Sequence, residues 1–153
     1  MKKRHEVLFN QLETYREGLL FDVNDISADE AEIVPEGFNN NIRWNLGHVY
    51  LDQYMWIKVL TKDDLYPESF NQWFGFGTNP SNFDENTPSF EELKQLLKEQ
   101  TNKIKDIYGD RLEEEFPPTE MGMFTIEQVL SRTIFHEGMH TQAINDLKKF
   151  IRK

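Results

Sequence analysis

Apolar residues recur every three or four positions in four long stretches of the chain, which is the spacing of helices with one buried face rather than of half-buried strands. Leu8, Leu12, Tyr15, Leu19 and Val23 mark a first helix from about Arg4 to about Asp25. Ile42, Leu46, Val49, Tyr50, Tyr54, Ile57 and Val59 mark a second from Asn41 to about Leu60, with Asn39 to Asn41 offering a side-chain cap. Leu93, Leu96, Leu97, Ile104 and Ile107 line a third, opened by Thr87-Pro88-Ser89 and running to about Glu114. Ile126, Val129, Leu130, Thr133, Ile134 and Ala143 carry a fourth to about Ile151. Ser27 to Glu30 and Thr125 to Gln128 have the form of capping boxes, and Pro35, Gly37, Pro117 and Pro118 interrupt. Four long helices and no convincing strand predict an all-α fold, a four-helix bundle forming a single domain over residues 1–153.

Between the second and third helices, residues 61–87 are rich in Pro, Gly, Asn and Ser yet carry Tyr66, Phe70, Trp73, Phe74, Phe76 and Phe83. A connection this long is uncommon in a small domain. Its rings either cover the open end of the core or form a lid over a site, and exposed aromatics serve a homodimer equally well.

Charge narrows the partners. With 27 acidic against 17 basic residues and a formal charge of −10, the chain repels the phosphates that give nucleic-acid binding most of its affinity. Lys148, Lys149, Arg152 and Lys153 are the densest basic cluster, and they suit the negative end of the last helix. Neither nucleic acid nor an anionic membrane is expected. No apolar run approaches the roughly 18 residues of a membrane span, and the start turns polar too soon for a signal peptide, so the expected location is cytoplasmic. The sequence has no cysteine, so any metal must be held by His, carboxylate or water.

Two histidines fit that requirement by their spacing. His136 and His140 lie one helical turn apart on one face and can offer two nitrogens to one ion. Bundle cores build metal sites from facing helices, and His48 is the remaining histidine on a long helix, His5 lying at a helix start prone to fraying. His48, His136 and His140 are therefore the expected ligands of one divalent ion. Glu137 and Asp52 are candidate catalytic groups: Asp52 follows His48 by one turn and can orient a ligand's second nitrogen or accept a proton.

His136-Glu137-Gly138-Met139-His140 also matches the H-E-x-x-H pattern of zinc proteases, in which Glu polarises water. Extended forms of that motif need a glycine where this chain has Ala143. If the fourth helix simply continues, Asp146 lies about 80° around the axis from His136 and points away from the ion. A protease is not expected.

The segment Asn41-Ile-Arg-Trp-Asn-Leu-Gly-His48, followed far downstream by His136-Glu-Gly-Met-His140, resembles the DinB/YfiT-like superfamily of metal-dependent proteins. The resemblance extends to helix order and to the Thr-Pro-Ser and Phe-Thr-Ile-Glu-Gln helix starts. It implies an up-down-down-up four-helix bundle with zinc or nickel on the three histidines and water at the open positions. It also implies thiol-dependent S-transferase or isomerase chemistry using a low-molecular-weight thiol such as bacillithiol, mycothiol or glutathione. Relatives often carry Gly-Gln directly after the last histidine, whereas Thr141-Gln142 here shifts the glutamine by one.

The leading expectation is a thiol S-transferase acting on a small-molecule substrate, with the metal lowering the pKa of the incoming thiol. The alternatives are a metal-dependent hydrolase of a small ester or amide, and a non-catalytic bundle in which the ion is structural.

Overall fold

The computed structural model describes residues 1–153 and contains helices and no strand: α1 (Lys3–Asp22), α2 (Ala28–Glu32), α3 (Ile42–Thr61), α4 (Ser69–Phe74), α5 (Phe90–Tyr108) and α6 (Ile126–Ile151), with a 3-10 turn at Pro80–Asn82. The predicted caps form. Ser27 and Glu30 exchange side-chain and backbone hydrogen bonds, as do Thr125 and Gln128, and the Asn41 side chain accepts from the Trp44 N–H at 2.8 Å. Each satisfies amides that the first helical turn leaves without partners.

Two helices are shorter than the apolar spacing suggests. α1 stops at Asp22, whose carbonyl accepts from Lys148 Nζ at 2.9 Å, while Val23 and Ile26 turn into the core. α5 begins only at Phe90, because Ser89 and Glu92 form the reciprocal cap, and ends at Tyr108, whose hydroxyl donates to Asp63 Oδ2 at 2.7 Å. That contact ties the end of α5 to the segment leaving α3.

Side-chain pairs fix the helix directions. Arg4 near the start of α1 meets Glu127 near the start of α6, and Asp25 beyond α1 meets Lys148 near the end of α6, so these two helices run parallel. Arg43 donates to the Thr87 and Pro88 carbonyls, and Tyr108 meets Asp63, so α3 and α5 are parallel as well. Asn45 meets His140 and Asp52 meets Arg132, which makes α3 antiparallel to α6. The order is up-down-down-up, with the 62–89 connection carrying the chain back along the bundle.

That connection is mostly core. Tyr66, Phe70, Trp73 and Phe74 are buried within one contiguous cluster of 31 apolar residues, and Lys62 in the left-handed region turns the chain out of α3. Phe76 alone among the six rings stands free, at 98% exposed. α1 departs from its apolar stripe in one place: Tyr15 is exposed and the neighbouring Arg16 is buried in its stead. Val59 and Ile107 also face outward. No helix is long and apolar enough to cross a membrane.

Candidate metal centre

The antiparallel pairing of α3 and α6 sets His48 opposite the His136–His140 turn. His48 Nε2 lies 3.1 Å from His136 Nε2, which lies 3.2 Å from His140 Nε2. The three expected ligands therefore converge on one point and form a group able to hold a metal ion.

Each ring is oriented from behind. His48 Nδ1 is 2.7 Å from the Phe74 carbonyl oxygen, an acceptor only, so Nδ1 carries the proton and donates. His136 Nδ1 is 3.1 Å from Asp52 Oδ2 and donates to that carboxylate. His140 Nδ1 is 2.8 Å from Asn45 Oδ1. The Asn45 amide nitrogen donates to the Asn41 carbonyl at 2.8 Å and to Asn40 Oδ1 at 3.1 Å, which leaves only its oxygen for His140. All three imidazoles thus hold their proton on Nδ1 and aim the Nε2 lone pair inward, the usual outer support of metal-bound histidine.

Three lone pairs pointed at one another repel unless a cation lies among them. Ligands at the ~2.0–2.1 Å of a zinc–nitrogen bond in tetrahedral geometry stand about 3.4 Å apart, and the observed separations of 3.1 and 3.2 Å are close to that. Burial, reinforced by the neighbouring His136, pushes the His48 pKa down. Burial again, then the neighbouring His48 and His136, pushes His140 down to about 3. Neutral imidazoles are the form that binds metal, so the residues fit a divalent ion.

Asp52 sits behind His136. Burial alone would raise its pKa, but the hydrogen bond from His136 and the positive charge of Arg132 outweigh it and keep the carboxylate ionised. Oδ2 also accepts from Arg132 Nη1 at 2.6 Å, and Oδ1 accepts from Trp56 Nε1 at 3.2 Å. The placement suits orienting His136 and leaves little capacity to take a further proton.

Glu137 is engaged on the other side of α6. It is 3% exposed, and both oxygens engage Arg16 of α1, Oε1 accepting from Nε at 2.6 Å and Oε2 from Nη2 at 3.3 Å. Arg16 also donates to the Leu97 carbonyl and Gln100 of α5 and to Gln53 of α3. One residue after a ligand, the helix has rotated by 100°, so Glu137 faces the bundle interior while His136 faces the site. Asp146, the would-be third protease ligand, accepts instead from Gln142 at 3.0 Å on the outer side of α6.

Trp44 closes one side of the cluster, its ring stacked on His48 at 4.7 Å and 10° and its Nε1 donating to Thr78 at 3.0 Å. The other side opens into a cavity of about 180 Å³ reached past Met55, Trp56, Phe76 and Arg132. Larger surface grooves exist, but chemistry rather than size marks this one. A second group, His5 with Glu113 and Glu127, also has ligand spacing, yet Lys2 and Arg4 already neutralise both carboxylates.

Asn45 lies three residues before His48, on the same helical face, so spacing alone was able to single it out. The Phe74 carbonyl left no sequence signal, because a backbone acceptor belongs to every residue type.

No curated protein matches the chain. The model of the DinB superfamily matches residues 11–144, from the middle of α1 to the later turns of α6 and so across all three histidines, and the chain belongs to that superfamily.

Proposed function

We propose that the protein is a cytoplasmic, metal-dependent thiol S-transferase in which His48, His136 and His140 hold zinc or nickel through Nε2. The observation that carries this is the set of three inward lone pairs beside an open cavity, in a chain without cysteine. A structural metal site is normally closed by four protein ligands, whereas three with room beside them suit chemistry.

A divalent ion bound there supplies the positive charge that lowers the pKa of an incoming low-molecular-weight thiol and so makes it a nucleophile at neutral pH. The chain's own groups hold and shape the site. The Phe74 carbonyl, Asp52 and Asn45 keep the three rings in register, and Trp44 excludes water from the His48 side. The thiol proton leaves to solvent through the cavity, the sulfur lone pair forms the new carbon–sulfur bond, and the leaving group departs with its bonding electrons.

Hydrolysis of a small ester or amide is less well supported, because neither carboxylate near the ligands is free to activate water. Homodimerisation has a natural surface in the exposed Phe135 and Met139, one turn apart on α6.

The test is conjugation of bacillithiol, mycothiol or glutathione to an electrophile panel by protein loaded with zinc or nickel. Turnover is expected only with metal, and both metal content and turnover are expected to fall in His48→Ala. Loaded protein that conjugates no thiol overturns the proposal.

A further inference from the structure

One wall of the cavity is made of groups that the chemistry above leaves unused. Arg132 gives one nitrogen, Nη1, to Asp52 and lies over the Trp56 ring with its guanidinium carbon 4.8 Å from the centroid. No protein acceptor meets its Nε or Nη2, and the side chain is 28% exposed. The Nε–Nη2 edge is the side of a guanidinium that takes a carboxylate with two parallel hydrogen bonds. Held by Asp52 and Trp56, this edge is preorganised, so little side-chain freedom is lost when it is used.

Electrostatics select the same class of ligand. Imidazoles bind a metal as neutral ligands, and the charges of Arg132 and Asp52 cancel. A divalent ion on the histidines therefore leaves the cavity net positive within a chain of charge −10. A focused positive spot in an acidic protein draws small anions and disfavours cations.

Phe76 supplies the apolar half. Its ring, two residues beyond α4, is 98% exposed at the cavity lip, although the aromatics of α4 itself are all buried, and Gly77 at φ +81° turns the chain immediately after it. Met55 lines the same cavity. A cavity of about 180 Å³ is smaller than the ~300 Å³ at which pockets enclose a drug-sized molecule. It holds one small group, and the rest of a ligand must pass over Phe76.

We infer that this cavity binds a small carboxylate with a flat apolar body, the carboxylate on the Nε–Nη2 edge of Arg132 and the body against Phe76 and Met55. The inference rests on the proposed use of the histidine cluster as a small-molecule site and names the class of its acceptor substrate. Arg132 and Phe76 become specificity residues that touch the ligand.

The experiment titrates zinc-loaded protein with benzoate and with benzamide, a neutral compound of nearly the same shape, and reads Kd from ligand-observed NMR. Benzoate is expected to bind at least about tenfold more tightly, as one charge-assisted pair implies. Arg132→Gln is expected to abolish the preference and Arg132→Lys to keep only part of it, since an ammonium lacks the fork. Phe76→Ala is expected to weaken both ligands by a similar factor. Equal binding of the two ligands to the unaltered protein overturns the inference, as does a preference that survives Arg132→Gln, which would put the carboxylate on the ion. Because no thiol is present, these outcomes are independent of whether thiol conjugation occurs.

Discussion

The Phe74 ring fills the space where a side chain on Gly47 would stand: a Cβ added to Gly47 falls 2.2 Å from Phe74 Cδ1. α4 can therefore lie directly on α3, and its last residue can bring a backbone carbonyl to His48 Nδ1. Gly47→Ala is expected to push α4 outward, costing about 1–3 kcal/mol of stability as other overpacked sites do and loosening His48. Urea unfolding together with chelator competition for zinc measures both effects. Unchanged metal affinity would mean that the α4 contact does not hold the ring.

Asn45 and Asp52 are expected to act through the histidines they orient rather than by touching a substrate. Asn45→Ala removes the acceptor of His140 Nδ1, and Asp52→Asn weakens that of His136. Each is expected to lower metal affinity by about 10–100-fold, read by competition against a chelator of known affinity. A loss of turnover at full metal occupancy would point instead to a direct chemical role for the substituted residue.

The Arg16–Glu137 pair gives a different signature. Both partners are almost fully buried, so removing one strands a charge in the core, and Arg16→Met or Glu137→Gln is expected to cost about 3–5 kcal/mol. Replacing both by methionine is expected to recover most of that loss, because the desolvation of two charges disappears together. Equilibrium denaturation of the two single variants and the double variant measures the coupling. If Glu137→Gln is fully stable but inactive, the glutamate is a catalytic base after all.

Acid is expected to weaken the metal-free fold through the same histidines. Burial holds His48 below its ordinary pKa and takes His140 down to about 3. The unfolded chain binds a proton on each below about pH 6.5, while the folded chain takes them up only at lower pH, near 3 in the case of His140. Stability from this source is thus constant above that pH and declines as pH falls toward 3. Asp52, held low in the fold, adds a loss in the same direction at lower pH. Melting temperatures of chelator-treated protein from pH 8 to pH 4 follow this, and His140→Asn is expected to flatten the slope between pH 6.5 and 5. A flat profile in the unaltered protein over that interval would show that the histidines titrate freely in the fold.

The bundle and the pairing of His136 with His140 on one helical face were legible from the sequence because both depend on periodicity. His136 and His140 share a face by spacing alone, and the capping boxes at Ser27 and Thr125 form as their side-chain chemistry predicts. Periodicity misjudged places where a pairing overrides hydropathy. Tyr15 fits the apolar stripe of α1, yet Arg16 is buried because Glu137, 121 residues away, meets it. Glu137 follows His136 directly in sequence, but one helical step turns it onto another face, toward Arg16. The 61–87 segment was unreadable as structure because its breakers are real, while α4 within it is only six residues long and is held by packing on α3.

His48 and His136 are 88 residues apart in the chain. An ion shared between them would act as a reversible cross-link spanning α3 through α6, in a sequence that has no cysteine from which to make a covalent one. Long closed loops restrict an unfolded chain most, but an ion that binds only the folded chain stabilises it through its free concentration instead. The protein's resistance to heat and proteolysis would then track the metal supply of its surroundings, through a staple that can be withdrawn without breaking a bond of the chain.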